Sequence, residues 1–214
     1  DKDEALSDDE IIDEFITFCV AGTETTAHLL SMVIYALCQN PKVLQRVQEE
    51  VDKYIPKEIN KVTLDELNKL DYTMAVLKET LRMWTPAPML LSRITMKDHM
   101  LGDVKIKKGT LITPGMILNN FNPNYFKDAN TFSPERWFDK EQEEIVKEPF
   151  LFMPFSAGGR NCIGQHFALI EARIILASFI RKFKFESEKD FDLKMSCKFI
   201  YEPMKPFKVC LNPK

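Results

Sequence analysis

Apolar residues recur with a helical period over the first eighty or so positions of the chain and with shorter, strand-like runs beyond them. Ser7-Asp8-Asp9-Glu10 has the form of a capping box, in which the serine hydroxyl satisfies an orphan amide, the glutamate reaches back, and the acids favour the positive helix end. A long helix is predicted to start there. Ile11, Ile12, Phe15, Ile16, Cys19 and Val20 follow at helical spacing, and apolar residues resume from Leu29 to Cys38, up to a break at Asn40-Pro41. Between them, Ala21-Gly22-Thr23-Glu24-Thr25-Thr26 places a glycine and three threonines inside the helix, a summed propensity cost of about 1–2 kcal/mol. The flanking residues predict that this stretch is buried, and its composition predicts a local distortion.

Pro41 opens a second, amphipathic helix with Val43, Leu44, Val47 and Val51 on one face. Thr63 and Glu66 cap a short third helix, and Asp71 is expected to cap a fourth running to Trp84, ended by Thr85-Pro86-Ala87-Pro88. From Met89 to Asn120, short runs punctuated by Gly102-Asp103 and Gly109 predict a small sheet of hairpins. Asn122 to Pro154 reads as a long ordered coil with short helical turns, a kind of segment that is usually functional in a compact domain. Phe167 to Phe183 is apolar on most sides and predicts a buried helix, followed by strands at Lys198 to Tyr201 and Phe207 to Leu211. The fold class is mainly α with a minor β-sheet, and no internal repeat or low-complexity linker divides residues 1–214.

Composition adds little to this picture except by exclusion. With 45% hydrophobic residues and seven glycines among 214, the chain can bury a sizeable core. A net charge of −3, with both signs scattered, argues against a nucleic-acid partner. Five cysteines without a CxxC pair argue against a disulfide framework or a zinc ribbon and for a reducing compartment. No apolar run reaches the roughly 18 residues that span a bilayer, and the acidic start Asp1-Lys2-Asp3-Glu4 is not a signal peptide.

The segment richest in chemistry is Phe155-Ser156-Ala157-Gly158-Gly159-Arg160-Asn161-Cys162-Ile163-Gly164, directly before the last helix. The positive end of that helix and nearby amides stabilise a thiolate as a metal ligand, and the glycines let the backbone approach something flat. Taken alone, such a cysteine is more often a small buried apolar residue than a ligand. Glu79 and Arg82, three apart on the fourth helix, can pair, although a solvated surface pair is the ordinary meaning of that spacing. Arg136 follows Pro134-Glu135. Glu24 and Thr25 put a carboxyl and a hydroxyl side by side, while threonines in helices commonly bond to carbonyls one turn back. His166, four residues after Cys162, lacks the further ligands of a zinc site. Arg181, Lys182 and Lys184 suit a helix C-terminus, and they could also face an acidic partner.

The complete cysteine string resembles the haem-binding loop of the cytochrome P-450 family, Phe-x-x-Gly-x-Arg-x-Cys-x-Gly, at every fixed position. Glu79-x-x-Arg82 resembles the family's Glu-x-x-Arg pair. Pro134-Glu135-Arg136-Trp137 resembles its Pro-Glu-Arg-Phe motif with tryptophan in place of phenylalanine, and Ala21 to Thr26 resembles its oxygen-activating segment. The four motifs stand in family order and span nearly the whole chain. The resemblance implies the C-terminal part of that fold, from the long central helix through the haem-ligand loop and the following helix, with the N-terminal half absent. It implies haem b with Cys162 as axial iron ligand, Phe155 near the sulfur, Gly164 closing the loop, and Arg160 and Arg93 on the propionates. Glu79, Arg82 and Arg136 become a structural triad that locks the loop, and Glu24 and Thr25 become the catalytic pair that delivers protons to reduced oxygen.

The implied activity is monooxygenation of a lipophilic small molecule by O2. Electrons come from NADPH through a reductase-type donor, in a parent held on the cytosolic face of the endoplasmic reticulum membrane by its missing N-terminal part. Residues near Ala87 to Leu91 are candidates to line the substrate pocket. Two alternatives stand beside this reading: a haem-thiolate isomerase or dehydratase, and a truncated, non-enzymatic fragment.

Overall fold

A computed structural model of the chain describes residues 5–58, 61–89, 92–148, 150–188, 191–197 and 200–214. It is mainly helical, with four small two-stranded antiparallel sheets among the described residues. The expectations that fall on residues 1–4, on Leu90 and Leu91 of the pocket segment, and on Lys198 and Phe199 lie outside the described residues.

Helix α1 (Asp8–Gln39) starts at the capping box: the Ser7 amide donates to the Glu10 carboxylate at 2.8 Å, and the Glu10 amide donates to the Ser7 hydroxyl at 3.3 Å. The distortion expected at residues 21–26 is absent. The helix runs unbroken, and the Thr25 hydroxyl donates to the Ala21 carbonyl at 2.7 Å, as Thr17 and Ser31 do to Asp13 and Ala27. The burial expected of residues 21–26 also fails for most of the stretch: Ala21 to Glu24 are exposed, Thr25 is half-buried and Thr26 is buried. Leu29, Met32, Val33, Ala36 and Leu37 are buried, but Phe15 is 68% exposed, and Ile11, Ile12 and Ile16 are exposed beside it. Helical period marks which face is apolar; it does not supply the element that covers it.

Helix α2 (Pro41–Tyr54) buries Val43, Val47 and Val51, and α3 (Leu64–Leu67) carries its own Thr63–Glu66 capping box. Asp71 does not cap α4 (Asp71–Met83) but is its first residue. The cap comes from α2: the Glu50 carboxylate accepts from the Tyr72 and Thr73 amides, both at 2.7 Å, and from the Thr73 hydroxyl at 2.6 Å. A carboxylate on the first amides of a helix serves as both acceptor and dipole partner. Glu50→Ala is therefore expected to lower stability by about 1–2 kcal/mol, read by chemical denaturation. Glu50→Gln should lose less, and no change in either would mean that water serves these amides equally well.

Strands β1 (Arg93–Ile94) and β4 (Leu111–Ile112) flank the hairpin of β2 (His99–Leu101) and β3 (Val104–Ile106), with His99 opposite Ile106 and Arg93 opposite Ile112. Gly102 turns that hairpin at φ 55°, a conformation that favours glycine. Instead of continuing as sheet to Asn120, the chain forms a short helix α5 (Met116–Asn120) that buries its two end residues. The following coil holds the expected short turns, a 3-10 turn at Pro134–Phe138 and α6 (Lys140–Val146).

Helix α7 (Gln165–Lys182) buries only one face, through Ala172, Arg173, Leu176, Ala177 and Ile180, while Phe167 is 71% exposed; the expectation of burial on most sides is corrected accordingly. It leads into β5 (Phe183–Ser187), paired with β8 (Val209–Pro213), and β6 (Met195–Cys197) pairs with β7 (Tyr201–Pro203). The core lies where the second half of α1 meets α2, α4 and α7. Two arginines of α7 close the ends of other helices. Arg173 donates to the Leu67 carbonyl at 2.9 Å, and Arg181 donates to the carbonyls of Ile55 at 2.6 Å, Val51 at 3.3 Å and Pro56. Arg181 is thus committed to the end of α2.

Candidate functional site

The cysteine loop is shaped by its backbone. Ser156 and Gly158 take left-handed conformations at φ 64° and 76°, the first at a cost of about 1–2 kcal/mol for a residue with a side chain. The Cys162 amide donates to the Phe155 carbonyl at 2.8 Å and the Asn161 amide to the Gly158 carbonyl at 3.1 Å, which closes the loop. Phe155 is half-buried and packs on the core, anchoring one end. The other end enters α7, where the Ala168 amide donates to the Gly164 carbonyl at 2.9 Å. Cys162 is exposed, and its Sγ lies 3.9 Å from where a Cβ on Gly164 would stand. Gly158 and Gly159 face open space. The thiol is therefore displayed at the positive end of α7 with no bulk over the loop.

Arg160 ends a 3-10 turn (Gly158–Arg160) and is exposed; Arg93 is exposed at the start of β1, one Nη donating to the Ser92 carbonyl at 3.3 Å. Among the described residues no three His, Cys, Asp or Glu side chains gather to hold a metal.

Between α4 and the 3-10 turn at Pro134–Phe138 lies a buried charge centre. Glu79 and Arg82 on α4 are fully buried and pair in a fork, Nη2 to Oε1 at 2.9 Å and Nε to Oε2 at 3.0 Å. Arg136, from the 3-10 turn, donates from Nε to Glu79 Oε1 at 2.9 Å. Two cations and one anion leave a positive excess, and carbonyls absorb it. Arg82 donates to Asn120 and Ala129, both at 2.7 Å, and Arg136 to Lys127 at 2.7 Å and Thr131 at 3.1 Å. The segment 120–131 is thereby wrapped around two guanidinium groups. Glu135 is not part of this centre: it accepts from the Tyr72 hydroxyl at 2.7 Å and from Arg46 at 2.5 Å.

Sequence reasoning missed three contributors: the carbonyls of residues 120–131, the Ser133 amide on Glu79 at 2.9 Å, and the Trp137 indole on Glu79 Oε2 at 3.1 Å. Only the last carried a signal, since tryptophan has an N–H donor where phenylalanine has none.

On α1, Glu24 is exposed and the Thr25 hydroxyl is held by Ala21. Glu24 lines a cleft of about 740 Å3 between α1, α7 and the C-terminal strands, together with His28, Phe179, Glu202 and Phe207. His28 is buried and bonds through Nε2 to the Trp84 carbonyl at 2.9 Å, tying α1 to the end of α4. Burial lowers its proton affinity below the ordinary 6.5, against the opposing pull of the Trp84 carbonyl and Glu202. As pH falls through 6.5 the unfolded chain takes up a proton that the fold still refuses. The stability that neutral His28 contributes is therefore complete above 6.5 and lost as pH falls from there to the folded value. His28→Gln should flatten that part of the stability–pH curve, measured by denaturation at a series of pH values. An unaltered slope would mean that the imidazole is hydrated in the fold.

The family model described as Cytochrome P450 matches residues 1–211. The chain is 35% identical over its whole length to Cytochrome P450 3A16 of Mus musculus, of which it covers 42%, and 39% identical over 86% of its length to Cytochrome P450 4V2 of the same species, of which it covers 34%. It is 36% identical over 91% of its length to Cytochrome P450 3A7 of Homo sapiens, covering 38% of that protein. It spans about two-fifths of the length of these relatives. With the Cys162 loop, the buried Glu79 centre and a match over residues 1–211, the chain belongs to the cytochrome P450 family.

Proposed function

We propose that the protein containing this chain is a haem-thiolate monooxygenase that inserts one atom of O2 into a lipophilic organic substrate and reduces the other to water. In this reading residues 1–214 are the C-terminal, haem-binding portion of one domain whose N-terminal half precedes them. The observation that carries the proposal is the displayed Cys162 thiol at the start of α7, on an open glycine loop. A single soft thiolate with no cluster of companion ligands among the described residues would suit an iron that a macrocycle brings with it.

Haem b, when bound, supplies the redox chemistry that activates O2. Cys162 would hold the iron, and Gly164 leaves room beside the sulfur. Phe155 shields that side from water. Arg160 and Arg93, both exposed, offer guanidinium forks suited to propionates. Glu79, Arg82 and Arg136 keep the segment 120–131 in register. Thr25 moves protons only after its hydroxyl leaves the Ala21 carbonyl, an exchange of one hydrogen bond worth about 1 kcal/mol. Glu24, an exposed carboxylate beside it, draws those protons from water. Electrons originate in NADPH and arrive through a reductase-type partner. The site of action is the cytosolic face of the endoplasmic reticulum membrane. Among the described residues no helix is long and apolar enough to cross a membrane.

The test is turnover of the full-length protein in isotopically labelled O2. One labelled atom in the product and one in water, dependent on NADPH, is the expected result. Rearrangement of a peroxide without NADPH or O2 would establish the isomerase or dehydratase class instead. For the 214 residues by themselves, the exposed apolar side of α1 favours the fragment reading, in which the isolated chain does not retain haem. A reduced, CO-bound spectrum of the isolated chain beside that of the full-length protein separates the two.

A further inference from the structure

We propose that Trp137 is a positioning residue that couples the buried Glu79 centre to the cysteine loop, its indole N–H holding the carboxylate and its ring holding the segment that leads to Phe155. This rests on the haem-thiolate reading of Cys162. Glu79 accepts five hydrogen bonds: three on Oε1, from Arg82, Arg136 and the Ser133 amide, and two on Oε2, from Arg82 Nε and Trp137 Nε1. Trp137 is the one neutral side chain among these donors. Arginine donors fix the carboxylate electrostatically from many angles, whereas a single indole N–H at 3.1 Å sets the plane of a rigid ring.

That ring lies 4.8 Å from the Phe152 ring, centroid to centroid, at an angle of 46°. Fully buried Phe126 touches both, at 6.4 Å and 6.5 Å, and the Arg82 guanidinium stands 5.3 Å from the Phe126 ring. The three rings form a wedge between the charge centre and the chain entering the loop. Beyond Phe152, the Met153 carbonyl accepts the Ser156 amide at 3.0 Å, and the Phe155 carbonyl accepts the Cys162 amide at 2.8 Å. A displacement of Trp137 therefore reaches the backbone of Cys162 through packed rings and two hydrogen bonds. Phenylalanine at 137 would keep the ring contacts and lose the bond that orients them.

The experiment compares Trp137→Phe and Trp137→Ala with the wild type in the full-length protein. Loss of the thiolate-type reduced CO band in mild denaturant is followed beside the loss of helical circular dichroism. With Trp137→Phe the band is expected to decay about 10-fold faster, the low end of what one lost hydrogen bond to a carboxylate provides, a larger change than the accompanying shift in the midpoint of helix loss accounts for. Trp137→Ala should accelerate the decay further. An unchanged decay in Trp137→Phe overturns the proposal, and so does a decay that rises only in step with a lowered midpoint, because ordinary core packing would do that.

A second readout is independent of haem: hydrogen exchange of the Trp137 indole N–H, its resonance assigned by its disappearance in Trp137→Phe. Slow exchange that speeds up in Glu79→Asp supports the bond. Exchange as fast as a solvated indole overturns it. If the wild type shows no thiolate band but the indole is protected, the haem-thiolate reading has failed while the Glu79–Trp137 coupling stands.

Discussion

Replacing Glu79 with alanine is expected to remove about 3–5 kcal/mol of stability, the usual consequence of leaving buried charge without its partner. Both guanidinium groups would remain: Arg82 is fully buried and Arg136 nearly so, and neither can reach water without opening the segment 120–131 that surrounds them. Their carbonyl partners are dipoles and cannot replace a full negative charge. Against a total of about 5–15 kcal/mol for a typical domain, this is a fifth of the stability or more. Chemical denaturation of the full-length protein measures it, and haem retention should fall in parallel. Glu79→Gln, isosteric and able to keep some acceptors, should lie between wild type and alanine. A loss below about 1 kcal/mol would class the pair with solvated surface bridges and refute the account of the centre.

Cys162→Ser is expected to abolish the thiolate-type reduced CO band and the monooxygenase activity while leaving the haem-free protein intact. Cys162 is exposed, and the loop is closed by its backbone amide, which serine retains. A serine hydroxyl is a poor donor to iron and lacks the electron push of sulfur. The substitution therefore separates chemistry from folding: the band disappears and the denaturation midpoint does not move. Persistence of the band would reassign the axial ligand, and loss of folding would give the side chain a packing role that its exposure contradicts.

Local rules were readable and long-range ones were not. The capping boxes at Ser7–Glu10 and Thr63–Glu66 involve partners three residues apart, a distance over which a pattern specifies its own geometry. The cap of α4 involves Glu50, 22 residues from Tyr72, so Asp71 was the natural but mistaken choice. The first half of α1 has the right apolar period and no cover among the described residues. In the candidate site, Glu79 and Arg82 share a helix face by spacing alone, whereas Arg136 stands 57 residues from Glu79 and is suggested only by the family motif. The carbonyls that neutralise the arginines leave no mark in the side-chain sequence, because every residue carries one.

The borders of α4 also give the chain an order of assembly. Its N-terminal cap, Glu50, precedes it, while the second cation on Glu79 follows 57 residues later. A ribosome making about 5–20 residues per second needs several seconds to cover that interval. Throughout it the nascent helix can be sealed at its start while Glu79 has Arg82 as its one charged partner in the centre. The last cation arrives with the same stretch of chain that delivers Trp137, so the charge centre closes only shortly before the cysteine loop itself is synthesised.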